Sequence, residues 1–128
     1  MKEAVIIPAY NEGNNIAEVI IKTRTYCHNV VVIDDGSKDD TAEKAKKAGA
    51  LVIKHPINLG KGAALKTGCD YAVNNGAAKI IALDADGQHD PVEIPNFLAS
   101  LENNDIAFGA RRIPKSMPLV FRFGNKVI

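Results

Sequence analysis

Asp84 and Asp86 stand one residue apart, directly after the apolar run Ile80-Ile81-Ala82-Leu83. At a strand-to-loop bend, residues i and i+2 can aim at one point, and two carboxylates left there without a counter-charge repel each other. A hard dication relieves that repulsion. Oxygen donors of this kind suit Mg²⁺ or Mn²⁺, with water and substrate phosphates completing the shell. Gln88 continues the alternation and offers a neutral oxygen, and His89 offers a ring nitrogen that could ligate or cap. Asp90 has a simpler use: followed by Pro91 and Glu93, it reads as the N-cap of a helix with proline at its first position. The plainer alternative for Asp84 and Asp86, an acidic turn that caps the same helix, stays open on these residues alone.

Three further clusters could do chemistry. In "HPINLGKGAALKTG", Gly60 and Gly62 fall at a helix start, where backbone N–H groups and the helix dipole favour an anion, and Lys61 can offset phosphate charge. The bland reading is a glycine-rich helix packed closely on a sheet. The run is not a P-loop, because no Gly-Lys-Ser/Thr follows at the required spacing, and it does not follow the first strand as a dinucleotide fingerprint should. Asp34 and Asp35 end a second apolar run, "VVVIDDGS", and acids there can accept hydrogen bonds from a ribose hydroxyl or a base N–H. Tyr10 and Glu12 close "VIIPAYNE" and can pack on and bond to a base, or simply open a helix.

Two rival readings of the Asp84 turn are tested on the same residues. A calcium loop of the EF-hand type needs Gly and Glu where His89 and Pro95 stand, so it fails. A phosphatase of the haloacid-dehalogenase type also begins with strand-Asp-x-Asp-Gly. It usually does so near the N-terminus and with Thr or Val next, where this chain has Gln88.

These clusters need elements to hold them. Short runs rich in Ile and Val predict strands over 3–7, 30–33, 51–53, 79–83 and 106–108, and helical patterns lie between them at about 14–25, 40–48, 61–75 and 91–101. Most of the strands read as continuous apolar runs, as in parallel strands covered on both faces. Ser37-Lys38-Asp39-Asp40 predicts a capping box for the second helix, and Gly49 and Gly76 predict C-terminal caps. The order is β-α-β-α-β-α-β-α-β: an α/β fold with an open, mostly parallel sheet and right-handed crossovers. Ligands bind such sheets beyond the carboxyl ends of the strands. Every unusual polar cluster of the chain falls on that edge.

The 128 residues, 46% hydrophobic and 24% charged, are of single-domain size and globular in composition. Net charge is +1, but unevenly spread: residues 110–128 carry five basic residues and no acid, leaving 11 basic and 15 acidic residues elsewhere. That tail, interleaved with Met117, Leu119, Val120, Phe121 and Phe123, suits an anionic membrane surface or a phosphate group, or else a solvated helix with a core-facing stripe. Nothing approaches the ~20 apolar residues of a membrane span, and the N-terminal apolar run is too short for a signal peptide. Cys27 and Cys69 have no metal-ligand spacing and read as reduced core thiols of a cytosolic protein.

Taken together, "VIIPAYNE", "VVVIDDGSKDDT", "NLGKGAALKTG" and "IIALDADGQHDP" resemble the family-two, GT-A-fold glycosyltransferases, most closely the branch making polyprenyl-phosphate sugars, typified by dolichyl-phosphate mannose synthase. The closing "DIAFGARRIPKSMPLVFRFGN" is similar to that branch's Gly-Ser-Arg segment, with Ala110 in place of Ser. The resemblance implies an inverting, metal-dependent transfer of sugar from a UDP- or GDP-sugar to a polyprenyl (dolichyl or undecaprenyl) phosphate. A polysaccharide or other hydroxyl acceptor is the alternative, as is a nucleotide-sugar-binding module without turnover. It implies a nucleotide pocket of Pro8, Ala9, Tyr10, Glu12, Asp34 and Asp35, with Lys61 beside it. Asp84, Asp86 and Gln88 would gather around Mg²⁺ or Mn²⁺, Asp84 also reaching the nucleotide and Asp86 serving catalysis. Arg111, also catalytic, and Arg122 would hold the acceptor phosphate. The expected setting is the cytosolic membrane face, with no nucleic-acid partner and self-association left open. Since family members are longer, residues 1–128 are expected to form one glycosyltransferase domain lacking its C-terminal acceptor part.

Overall fold

The computed structural model describes residues 1–105, and the predicted fifth strand at 106–108 lies outside them. The chain divides into two compact units, Met1–Ile94 and Pro95–Ile128. The first holds a four-stranded parallel sheet: β1 (Glu3–Ala9), β2 (Val30–Asp34), β3 (Leu51–Lys54) and β4 (Lys79–Ala82), in the order β3-β2-β1-β4. Helices α1 (Ile16–Arg24), α2 (Thr41–Lys47) and α3 (Lys61–Asn74) make the crossovers. The fold is the α/β class expected.

The strand order follows from burial. β1 and β2 are runs of β-branched residues with apolar side chains on both faces, so they take the centre, in register from Val5 opposite Val30 to Ala9 opposite Asp34. β3 and β4 are shorter and half-buried, and among the described residues they form the edges, with Leu51 of β3 exposed. The expectation of strands covered on both faces therefore holds for the central pair alone.

From β1 through β2 to β3 the chain moves one way across the sheet, then returns past both to β4. Right-handed crossovers put α1 and α2 on one face and α3 on the other. On the α3 face, Ala64 and Ala72 pack with Ala4, Ile6, Val31 and Ile33 into a hydrophobic core. Gly68 allows that approach: a Cβ there would lie 2.3 Å from Ile6 Cγ2 and 3.3 Å from Ile33 Cγ1. On the α1 and α2 side, Ile16, Val19, Ile20, Ala42 and Ala45 are buried.

Local signals were met in part. Gly49 and Gly76 take positive φ just past α2 and α3, and the Ala50 and Ala77 amides reach back to Ala45 and Ala72 carbonyls, as C-terminal glycine caps require. Asp90 Oδ1 accepts from Val92 N–H at 3.0 Å, but it opens a 3₁₀ turn (Pro91–Glu93) that hands over to α4 (Ile94–Ser100), where the sequence predicted one helix over 91–101. The capping box at 37–40 does not form. Asp40 makes no capping bond, and Ser37 Oγ accepts instead from the Asn11 amide, 2.8 Å away in another loop. Cys27 and Cys69 are unpaired thiols, and burial pushes both up from the ordinary range. Among the described residues, no helix is long and apolar enough to cross a membrane.

Candidate functional site

The strand order reverses where β4 lies beside β1, and beyond the carboxyl ends there a cleft of ≈ 300 Å³ opens. Pro8, Ala9, Tyr10 and Glu12 come from the end of β1, and Asp35 from the end of β2. The β3–α3 connection supplies Asn58 and Gly60, the first turn of α3 supplies Lys61 and Ala64, and the turn after β4 supplies Asp84, Ala85 and Asp86. Nine residues singled out in the sequence thus meet in one place.

The two loops at its upper wall are stitched together. Asn11, at φ +52, donates its amide to Ser37 Oγ and accepts at Oδ1 from the Lys38 amide at 2.8 Å. The Glu12 amide donates to Thr41 Oγ1 and the Gly13 amide to Asp39 Oδ2, each at 3.0 Å. Asp39 also accepts from the Thr41 amide and hydroxyl, and the Thr41 hydroxyl, ahead of the other donors, holds its carboxyl below the usual range. "SKDD" is therefore a clamp on the first loop, placing Tyr10 (44% exposed) and Glu12 at the mouth.

The acidic pair after β2 divides its labour. Asp34 is 2% exposed, does not line the cleft, and accepts at Oδ1 from the Ser37 amide at 3.0 Å. Asp35 is also buried but reaches the cleft wall, where Oδ1 accepts from Leu59 N–H and Oδ2 from Gly60 N–H, both at 2.9 Å. His55 Nδ1 lies 2.8 Å from Asp35 Oδ1. Burial alone would raise the Asp35 carboxyl, but the Leu59, His55 and Gly60 donors outweigh it, and the net shift is downward.

Across the cleft, Lys61 Nζ lies 2.5 Å from Asp84 Oδ1. Asp84 N–H donates to His89 Nδ1 at 3.1 Å, which leaves the ring proton on Nε2, 3.4 Å from Asp84 Oδ2. His89 thus belongs to the turn. Asp86 Oδ1 accepts from the Gln88 amide at 2.9 Å, and Gln88 itself does not line the cleft. Two carboxylates facing one cleft are the hard-oxygen set that Mg²⁺ or Mn²⁺ takes. Among the described residues, no three His, Cys, Asp or Glu side chains converge as a closed metal cage. A cation here would keep an open shell for water and phosphate oxygens, which fits Mg²⁺ habit. Arg111 and Arg122 lie outside the described residues.

Asn58, Ala64 and Ala85 line the cleft without having been anticipated, and His55 and Thr67 support it from behind. His55 sits in the same quoted run as Gly60 and Lys61. A lone histidine at the end of an apolar strand was the available signal.

Fold and cleft together define an open α/β sheet protein of the GT-A kind. The chain belongs to glycosyl transferase family 2, whose model matches residues 4–126. An uncharacterized protein of Methanocaldococcus jannaschii is 43% identical over 129 residues, 94% of this chain and 53% of that protein. The UDP-N-acetylglucosamine–dolichyl-phosphate N-acetylglucosaminyltransferase of Methanococcus voltae is 34% identical, over 94% of this chain and 58% of the enzyme. The undecaprenyl-phosphate 4-deoxy-4-formamido-L-arabinose transferase of Salmonella paratyphi B is 33% identical, over 99% of this chain and 42% of the enzyme. The chain thus spans about half the length of these relatives. Among solved structures, the glucosyl-3-phosphoglycerate synthase of M. tuberculosis in complex with UDP matches with TM-score 0.67 and 26% identity over 87% of this chain and 45% of that one. The same enzyme has been crystallised with Mn²⁺ and UDP-glucose, and there the likeness, at 23% identity and TM-score 0.69 over 86% of this chain and 43% of that one, concerns the fold.

Proposed function

We propose that residues 1–128 form the donor-binding domain of an inverting glycosyltransferase that takes a UDP- or GDP-sugar with Mg²⁺ or Mn²⁺ and delivers the sugar to a polyprenyl phosphate. The observation that carries this reading is the convergence of Asp84, Asp86, Lys61 and the Gly60 helix start on one cleft. Departure of a nucleoside diphosphate builds negative charge on its terminal phosphate. A divalent cation, when bound by Asp84 and Asp86, would stabilise that charge. Lys61 and the N-terminal amides of the 14-residue α3 face the same charge from the other wall. Tyr10, half-exposed at the mouth, offers a face on which a base can stack, and Glu12 a carboxylate for its polar edge. Asp34 supports the pocket from beneath, through the Ser37 turn.

A lipid phosphate is already anionic and needs no general base; it needs cations to orient it, the role assigned to Arg111 and Arg122. Two relatives named for dolichyl-phosphate and undecaprenyl-phosphate transfer support that acceptor; for a lipid acceptor the setting we propose is peripheral, at the cytosolic membrane face. The synthase named for a phosphoglycerate product supports the second reading, a hydroxyl acceptor. Calorimetric titration of UDP and GDP, with and without Mn²⁺, tests the donor site. Binding should require the cation and be lost in Asp86→Ala, and binding equal in all arms would refute it. Incubating radiolabelled UDP- and GDP-sugars with undecaprenyl phosphate, and separately with 3-phosphoglycerate as a soluble alcohol, tests the acceptor. Label in the organic phase supports lipid transfer, label on a soluble alcohol supports the second reading, and binding with neither marks a module that binds without turnover.

A further inference from the structure

His55 and the half-buried Thr67 form a hub with Asp35 of the cleft wall, and the donor-site reading uses neither His55 nor Thr67. His55 closes the segment after β3 and is 9% exposed. Its Nδ1 lies 2.8 Å from Asp35 Oδ1 and its Nε2 lies 2.9 Å from Thr67 Oγ1 in α3. Thr67 Oγ1 in turn donates to the Ala63 carbonyl at 3.0 Å, one helical turn back. The Asp35 carboxylate can only accept, so Nδ1 is the ring nitrogen that donates to it, while Nε2 rests against the Thr67 hydroxyl. The arrangement is a carboxylate, an imidazole and a hydroxyl in a row. Thr67 does not line the cleft and has no path to a substrate there, so the row holds structure and is not a nucleophilic triad.

What it holds is the connection in front of α3. The two Asp35 oxygens take the Leu59 and Gly60 amides, and Gly60, at φ +100, turns the chain into Lys61, the first residue of α3. Lys61 reaches Asp84. Gly36, next to Asp35, approaches so closely that a Cβ would meet the Asn58 amide nitrogen at 2.5 Å. The loop is therefore pinned from below, and His55 fixes the rotation of the carboxylate that pins it.

We infer that His55 is a positioning residue for the diphosphate of a bound nucleoside diphosphate: through Asp35 it sets the Leu59–Gly60 peptide and hence the angle at which Lys61 and the start of α3 meet the phosphates. The inference deepens the donor-site reading and rests on it for the identity of the ligand. Its test uses the whole chain with Mn²⁺ present throughout, UDP, GDP and uridine as probes, and the variants His55→Leu and His55→Asn; Asn can restore a donor near the Nδ1 position. His55→Leu should lower UDP or GDP affinity roughly tenfold while leaving uridine affinity unchanged, and His55→Asn should recover most of the loss. In the nucleotide-free chain, exchange of the Leu59 and Gly60 amides should quicken roughly tenfold in His55→Leu, with the Asp35 amide, bonded to Ala9 O, unaltered. A folded His55→Leu that binds UDP and GDP like wild type, or loses diphosphate and uridine equally, overturns the inference. Absence of UDP and GDP binding by the wild type overturns the donor-site reading instead. The exchange of the two amides, which needs no nucleotide, then decides whether His55 holds the loop.

Discussion

Lys61 Nζ and Asp84 Oδ1, contributed by the start of α3 and the turn after β4, meet at 2.5 Å across the cleft. The pair supplies a cation to a carboxylate whose expected role is to hold one. Lys61 is 64% exposed at its side chain, so the contact is easily exchanged and adds little to stability. Its consequence lies in binding. Lys61→Met should let Mn²⁺ alone bind several-fold more tightly, because a competitor for Asp84 is gone, while UDP binding in the presence of Mn²⁺ weakens. Titration of each ligand checks both arms, and an unchanged Mn²⁺ affinity would refute the competition.

Gly68 and Gly62 lie on one helix and should respond oppositely to alanine. At Gly68 the added Cβ meets Ile6 in the core, and overpacking of this kind costs about 1–3 kcal/mol. At Gly62, the second residue of α3, the space is open and alanine is the better helix former, by less than the interior value of about 1 kcal/mol. Urea denaturation of the two variants should move in opposite directions; loss of stability in Gly62→Ala comparable to Gly68→Ala would contradict the packing described.

Asp90 and Asp86 are neighbours in sequence with separable roles. Asp90→Ala removes the bond to the Val92 amide and should cost about 1 kcal/mol, the usual worth of an N-cap, while UDP affinity stays as in wild type. Asp86→Ala should do the reverse. Equal effects of both on nucleotide binding would show that the turn acts as one unit.

Acid should expose the hub. Asp35 is held below the ordinary carboxylate value, so its contribution to stability is complete above the unfolded value of about 3.9 and disappears as pH falls through the lower folded value. Asp35→Asn should therefore melt well below wild type at pH 6, and the gap should narrow as pH drops past that window. Asp39 is also held low and contributes its own acid limb, so the comparison is the gap between proteins and not the wild-type curve alone. A gap constant with pH would mean that the Asp35 charge is not what the fold uses.

Much of the molecule is written locally. The runs "AVIIPA" and "VVVID" can be little other than central parallel strands, because β-branched side chains on both faces need cover on both faces. Gly49, Gly76 and the Asp90-Pro91 pair mark helix ends by backbone geometry that few other residues meet. The spacing of Asp84 and Asp86, and the glycines before α3, belong to the same local record. These signals, with the alternation of elements, place every polar cluster on one sheet edge.

What the sequence by itself could not decide is which side chain answers which across that edge. Ser37 read as a helix cap, yet the Asn11 amide, 26 residues away along the chain, takes its hydroxyl. Asp34 and Asp35 read as a pair, yet strand alternation sends Asp34 into the interior and leaves Asp35 at the wall with the Leu59 and Gly60 amides. His55 carried no spacing that pointed at Asp35, and Lys61 none that pointed at Asp84. Propensity and periodicity act over one or two turns, whereas each of these contacts depends on the β3-β2-β1-β4 order, which a crossover sets only when the whole sheet is assembled.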